Sequence, residues 1–275
     1  MKFLSIVQLT FRESLAKKTF IAFFGISTLT CLLFIFALNL DIVDGMQSSV
    51  SLFGAEIPAT FDLREIIINI QSAVAALLFT GGIFMSLFAT SSLIPTLLQP
   101  GFIDLFISKP VSRLEILTGR FIGATLIVAC NILYLMIFSA IILLFKTGIW
   151  NWSYIVAGFI IVITFMILYT LMTFLSLLTK SGPFSLMLTY FIVFMSPLLI
   201  PRDQIYALLS SKVYAYILDG LYYFLPKTTE LGNLTRLIVG GQEITSWMPL
   251  WSSLLFALFI LSLSLIHISE PTRPY

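Results

Sequence analysis

Long apolar stretches separated by short polar segments dominate this chain. Crossing a hydrocarbon core of roughly 30 Å takes about 20 helical residues, and six stretches reach or approach that length. They are Phe20–Leu40, Ile66–Ile94, Ile116–Phe145, Tyr154–Leu178, Phe184–Ile200 and a stretch that begins near Trp247. None has the two-residue alternation of a transmembrane barrel strand. The pattern therefore predicts an all-α polytopic membrane protein, with six transmembrane helices in a single transmembrane domain over residues 1–262.

The residues before the first span have a different pattern, with apolar side chains recurring at spacings of three and four. This stripe consists of Leu4, Val7, Phe11 and Leu15. Most of the basic residues lie off it, and a basic amphipathic helix of this kind settles on an anionic membrane surface with its apolar face down. We predict an interfacial helix over residues 1–19, with a solvated extension of the first span as the alternative.

Composition supports the membrane assignment. Hydrophobic residues make up 59% of the chain and charged residues 10%, whereas a soluble domain carries about 25% charged residues. The formal net charge of +2 does not indicate a nucleic-acid partner. Cys31 and Cys130 are too few for a disulfide framework or a zinc site.

The distribution of lysine and arginine predicts the orientation, because cytoplasmic loops are enriched in both. With the N-terminus inside, eight of these residues fall on the inner side: Lys2, Arg12, Lys17, Lys18, Lys109, Arg113, Arg120 and Lys180. The outer side receives six in more residues: Arg64, Lys146, Arg202, Lys212, Lys227 and Arg236. We expect a multi-pass protein of a bacterial cytoplasmic (inner) membrane, with both termini cytoplasmic.

The predicted spans contain little chemistry. They hold no Asp, Glu, His or Lys, and Arg120 is their one charged residue, so neither a proton relay nor a nucleophile with its base is available. The glycine pairs Gly81–Gly82 and Gly240–Gly241 lack the lysine of a phosphate-binding loop. We therefore predict no enzyme activity, metal or cofactor in this chain. A membrane enzyme such as a lipid transferase is the least favoured class, and energy for any transport would come from another subunit.

The loop over residues 95–115, between the second and third spans, has a distinctive layout. Pro100 and Gly101 indicate a turn, and the apolar segment 102–107 around Asp104 predicts a short helix. Pro110 ends that helix, because the residue before a proline disfavours the helical region. Ser112 and Glu115 then have the spacing of a capping box, which predicts a new helix start.

The stretch from Gly101 to Arg120 resembles the signature of type-2 ATP-binding cassette (ABC) exporter permeases, the ABC-2 family. That signature runs from a glycine through an apolar-acidic-leucine cluster and a Ser/Thr-x-Pro-Val/Ile-Ser-Arg run to a Gly-Lys/Arg pair. The matching elements are Gly101, Ile103-Asp104-Leu105, Ser108-Lys109-Pro110-Val111-Ser112-Arg113 and Gly119-Arg120. Residues 1–19 and 201–246 resemble the family's interfacial helix and its re-entrant segment. Gln99-Pro100 departs from the charged residues that many relatives carry there.

The resemblance implies a permease subunit that pairs with a second copy, as a homodimer or heterodimer, and with separate ABC ATPase subunits. ATP and Mg²⁺ would bind to those ATPases, and membrane lipid would surround the permease. The loop would be the coupling helix, in which charged residues pair with the ATPase, Gly101 and Pro110 fix bends, and Ser112 caps. The ATPase-coupling residues expected on this basis are Gly101, Asp104, Leu105, Ser108, Lys109, Pro110, Ser112, Arg113, Glu115 and Arg120. Two alternatives stay open, a scaffold that docks an ATPase without transport and an ordinary turn with no docking role.

Two further segments carry predictions. Five tyrosines between Asp203 and Leu225 favour a membrane interface, with a helix broken near Gly220 and ended by Pro226. That helix is equally compatible with an extracytoplasmic gate and with an anchor. The C-terminal run LSLIHISEPTR (263–273) matches one reading frame of a transposon adapter used in DNA sequencing. We therefore hypothesise that residues 263–275 are an artefact and that the natural sixth span continues differently after Ser262.

Overall fold

The computed structural model describes residues 2–43, 47–52, 55–57, 63–98, 112–200 and 212–269. Six helical stretches in it are long and apolar enough to cross a membrane. They are Lys18–Phe36, Arg64–Leu97, Arg113–Thr147, Trp152–Thr179, Gly182–Leu199 and Met248–Ile268. The six predicted spans are thus confirmed, and the transmembrane part of this multi-pass protein is all-α.

A separate N-terminal helix precedes the first span. Helix α1 (Lys2–Ala16) is followed by a bend at Lys17 and by α2 (Lys18–Ala37). The buried face of α1 carries Ile6, Thr10 and Ser14. The predicted apolar stripe points elsewhere, with Leu4 and Leu15 exposed and Val7 and Phe11 half-buried. Its interfacial placement stays a prediction, and the exposed stripe is compatible with it.

A small antiparallel sheet that the sequence analysis missed lies between the first two spans. Its strands β1 (Leu38–Val43), β2 (Gln47–Leu52) and β3 (Ala55–Ile57) pair in chain order, with Leu38 opposite Leu52 and Val50 opposite Ile57. The prediction of helix up to Leu40 is therefore wrong. From Leu38 onward the pattern L-N-L-D-I alternates with the two-residue period of a strand.

The second span is irregular. Helix α3 (Leu63–Leu77) passes into a π-helical turn (Leu78–Gly82) and then into α4 (Ile83–Thr90), and a 3₁₀ turn follows at Pro95–Leu98. Within the π-helical turn the Thr80 hydroxyl donates to the Ala76 carbonyl over 2.8 Å. Such turns occur frequently at functional sites.

The next three spans form the centre of the bundle: α5 (Arg113–Thr147), α6 (Trp152–Thr179) and α7 (Gly182–Leu199). Helix α5 ends at Gly148, whose φ of 70° is a left-handed conformation that glycine adopts without strain. Helix α6 is the most buried span. Its inward face carries Tyr154, Ala157, Ile161, Phe165 and Leu168, at the three- and four-residue spacing of one helical face.

The last part of the chain contains α8 (Lys212–Phe224), α9 (Thr228–Val239) and α10 (Met248–Ser269). Helix α8 runs through Gly220, so the predicted break there is wrong, but it does end before Pro226 as predicted. Residues 201–211 lie outside the described residues. Helix α10 includes residues 263–269, and the adapter hypothesis stays a hypothesis.

The connection between α8 and α9 enters the bundle. The Lys227 amide donates to the Ser253 hydroxyl over 3.1 Å, and the Thr229 amide donates to the Ser196 hydroxyl over 3.2 Å. Ser253 lies five residues after the start of α10, about 7.5 Å along the helix axis. The nearly buried Lys227 ammonium lies 4.3 Å from the centre of the Tyr222 ring, a cation–π contact. The connection thus places Lys227, which lies outside the six spans, against α10 and the Tyr222 ring.

Asn151 joins three helices at the end of the bundle where α6 begins. Its amide donates to the Gln71 side chain over 2.8 Å and to the Val239 carbonyl over 3.1 Å, and its oxygen accepts from the Ser153 amide as the N-cap of α6. Loss of the cap and of the partner of buried Gln71 should lower the free energy of unfolding of Asn151→Ala by about 2 kcal/mol. Thermal unfolding in detergent measures this, with Gln8→Ala on the exposed side of α1 as control. Equal stability of the two variants would contradict the assigned contacts.

Candidate functional site

Helix α1 packs closely against the first half of α5 because two glycines face it. A Cβ atom at Gly119 would lie 2.8 Å from Cγ2 of Ile6, and a Cβ atom at Gly123 would lie 2.7 Å from Cβ of Thr10. Glycines four residues apart share one helix face and allow two helix backbones to approach closely. The pair Gly119 and Gly123 therefore determines how near α1 comes to the third span.

An ion pair lies next to this contact. Glu13 Oε2 is 3.0 Å from Nη1 of Arg120, and the same nitrogen donates to the Leu93 carbonyl over 3.2 Å. The Lys17 ammonium donates to the Ser92 hydroxyl over 2.9 Å and lies 4.0 Å from Oε1 of Glu13. We call these five residues the Glu13–Arg120 cluster. It joins α1 to the end of the second span and to the start of the third.

Burial makes the cluster energetically important. The Arg120 side chain is 1% exposed and that of Glu13 31%. A buried guanidinium requires an opposite charge and hydrogen-bond acceptors to offset its lost hydration. Burial also lowers the pKa of Lys17 below its ordinary value, and the nearby Glu13 carboxylate partly opposes that shift. Both cations lie near the carboxyl end of α4, where the helix dipole favours positive charge.

The end of the second span has a third neighbour. A Cβ atom at Gly182, the first residue of α7, would lie 2.7 Å from the Ser91 carbonyl oxygen. Next to Arg120 on α5, the Phe121 ring stacks on the Tyr169 ring of α6, with the ring centres 5.2 Å apart. Residues 91–93 are thus held by the bend at Lys17, by α5 and by α7, at the end of the second span.

The start of α5, at Ser112, is held by two hydrogen bonds. The Ser112 hydroxyl accepts from the Glu115 amide over 3.1 Å, and the Ser112 amide donates to the Glu115 carboxylate over 2.9 Å. The predicted capping box at the start of α5 is therefore confirmed. Arg113, the first residue of α5, is exposed.

Six of the other expected coupling residues lie outside the described residues, as does the predicted short helix: Gly101, Asp104, Leu105, Ser108, Lys109 and Pro110. Arg120, expected among the coupling residues, is buried against Glu13, so any part it plays in coupling would be internal, and that role stays a prediction. The Glu115 carboxylate is engaged in the capping box.

Glu13 and Gly123 were not predicted as part of a site, and Gly119 was named only as part of the Gly119-Arg120 pair. Both carried a signal: Gly119 and Gly123 have the spacing of a close helix contact, and a charged residue within a span normally has a partner. Glu13 is the one acidic residue before Asp41, which made it the natural partner to consider for Arg120.

No protein-family model matches the chain, and no curated protein matches it. Within the described ranges, no three His, Cys, Asp or Glu side chains come together as a metal site would require. The Glu13–Arg120 cluster connects the end of the second span and the start of the third span to the N-terminal helix.

Proposed function

We propose that this chain is the membrane-spanning permease subunit of an ABC exporter of the type-2 class. It would work in a bacterial cytoplasmic membrane with both termini cytoplasmic, together with a second permease copy. Separate ATPase subunits would bind ATP and Mg²⁺. The observation that carries the proposal is the Glu13–Arg120 cluster, which ties the end of the second span and the start of the third span to α1, on either side of residues 99–111.

The cluster supports a mechanism in which force on the loop moves two spans together. Leu93 lies six residues before the loop, and Arg120 lies nine residues after it. Because Arg120 contacts the Leu93 carbonyl directly, displacement of either loop end reaches the other span without passing through a flexible connection. Glu13 adds α1 to the same unit.

The loop's own residues would meet the ATPase. Asp104, Lys109 and Arg113 supply charges of both signs, which suit a specific protein surface more than a lipid headgroup layer. Leu105 would add an apolar contact, and Gly101, Ser108 and Pro110 would define the bends. Arg120 would transmit the movement rather than contact the ATPase.

Purification of the tagged full chain from its native host tests the proposal. We expect an ABC ATPase to copurify and to hydrolyse ATP. Recovery of the intact chain under several mild detergents without any such companion would overturn the proposed function.

Removing charges from the loop should weaken binding of the ATPase without affecting the folding of the permease. We expect Asp104→Asn combined with Arg113→Gln to reduce the copurified ATPase by about tenfold, because a loss of roughly 1.4 kcal/mol in binding has that effect. The amount of chain in the membrane should not change. Lys180→Gln, which removes an exposed cation at the turn between α6 and α7, is the matched control. Full ATPase recovery with the double variant would contradict the docking role.

A further inference from the structure

A cavity of about 800 Å³ lies between the second span, α6, α7 and α9. Its walls are mostly apolar and include Phe79, Phe84, Leu168, Phe194 and Gly232. Along the second span it extends from Ser72 to Leu87, a distance of about 22 Å for 15 residues of helix. This volume is within the range of ligand-binding pockets.

Local irregularities shape the cavity. The π-helical turn supplies Phe79, Thr80 and Gly81 to its wall. A Cβ atom at Gly232 would lie 3.0 Å from Cε1 of Phe79, so glycine there lets α9 approach the turn. On the other side, the Phe84 and Tyr190 rings stack at 3.6 Å, and the Tyr190 hydroxyl donates to the Phe84 carbonyl over 2.7 Å.

Three hydroxyl groups of the wall donate to their own helices. Thr80, Thr164 and Thr235 donate to the carbonyls of Ala76, Ile160 and Leu231, respectively, and the Thr229 hydroxyl donates to Ser196 on α7. With these groups satisfied and most of the wall apolar, the interior suits a hydrocarbon chain. Met85 and Phe194 line the cavity and are 43% and 59% exposed, so a molecule can enter from the side of the bundle.

One end of the cavity carries a positive charge. Arg236 is the one charged residue among the described residues of the wall. It is exposed, and no described carboxylate lies within ion-pairing distance of it. Arg236 lies one turn before Val239, whose carbonyl contacts Asn151 at the start of α6. The guanidinium is thus at the end of the bundle opposite the Glu13–Arg120 cluster.

From this combination we infer that the cavity binds an anionic amphiphile, with its hydrocarbon chain among Phe79, Phe84 and Leu168 and its acidic headgroup at Arg236. A guanidinium recognises carboxylate and phosphate groups by paired hydrogen bonds, and the interior offers no other charge. Binding does not depend on the proposed function. If that function holds, the amphiphile is also the chemical class of the cargo.

Photolabelling of the purified full chain in neutral-lipid nanodiscs tests the inference. Four diazirine probes are compared: a palmitic acid, its alcohol analogue, a phosphatidylglycerol and a phosphatidylcholine. We expect the acid or the phosphatidylglycerol to label residues of the cavity wall, with about tenfold less labelling by the matching probe whose headgroup has no net charge, the alcohol or the zwitterionic phosphatidylcholine. The two acidic probes distinguish a free amphiphile from a bilayer lipid.

Variants at Arg236 test whether its charge determines which probes bind. Arg236→Gln should reduce labelling by the acidic probes to that of the alcohol, and Arg236→Lys should retain most of it. Arg64→Gln, at the start of α3, removes a cation outside the cavity and should have no effect. Equal labelling by acid and alcohol in the wild-type chain, or no labelled residue in the cavity, would overturn the inference regardless of how the variants fold. Since no ATPase is present, the result is separate from that of the copurification.

Discussion

Glu13→Gln is expected to destabilise the protein by about 3–5 kcal/mol, because it removes the carboxylate that lies 3.0 Å from the buried Arg120 guanidinium. The Leu93 carbonyl is a neutral acceptor, so its hydrogen bond does not replace the lost ion pair. Thermal unfolding of the purified chain in detergent measures the effect. Arg12→Gln, next to Glu13 but exposed, is the control and should change stability by no more than about 0.5 kcal/mol.

A double substitution distinguishes charge from packing. Removing both members of a buried ion pair in favour of apolar side chains is often neutral, so Glu13→Leu with Arg120→Met should recover most of the stability that Glu13→Gln loses. If the double variant were less stable than Glu13→Gln, the destabilisation would not come from an unpaired charge.

Gly119→Val combined with Gly123→Val is expected to displace α1 from α5. Each added side chain would meet Ile6 or Thr10 at less than 3 Å, and overpacking costs about 1–3 kcal/mol per site. We therefore expect the two substitutions together to weaken the contact between α1 and α5 by about 4 kcal/mol. Gly25→Val in α2 is the matched control, because a Cβ atom there meets nothing within 4 Å.

Displacement of α1 can be measured directly. Thr10 is fully buried against α5, so a Thr10→Cys reporter in a chain with Cys31→Ser and Cys130→Ser should react slowly with a maleimide. The glycine variants should accelerate this reaction by about tenfold or more, a change that corresponds to about 1.4 kcal/mol. An unchanged rate would mean that α1 stays in place without the glycines.

Local patterns predicted the parts of the fold that depend on local interactions. Hydrophobic length located the six spans, and the Ser112 and Glu115 spacing located the start of α5. The continuity of α8 through Gly220 was missed because a glycine weakens a helix by only about 1 kcal/mol, less than neighbouring helices can supply. The burial of α9 was missed because it depends on partners in α3, α6 and α7.

The candidate site was harder to predict from the sequence, because its residues come from different helices. Arg120 stood out in the sequence as the one charged residue of the predicted spans, but its partner Glu13 lies on a different helix about 100 residues earlier in the chain. The cavity depends on four segments that meet only in the folded chain. Charge pattern alone placed Arg236 in an outer segment and gave no indication that it lines the same cavity as Phe79 and Leu168.

The π-helical turn at Leu78–Gly82 has a consequence for insertions and deletions. An extra residue within a turn rotates everything on one side of it by about 100° relative to an unbroken α-helix. Gln71 meets Asn151 before the turn, and Leu93 meets Arg120 after it. Both contacts can hold only in this rotational phase, so deleting a single residue of the turn would swing one of the two anchoring points out of reach of its partner.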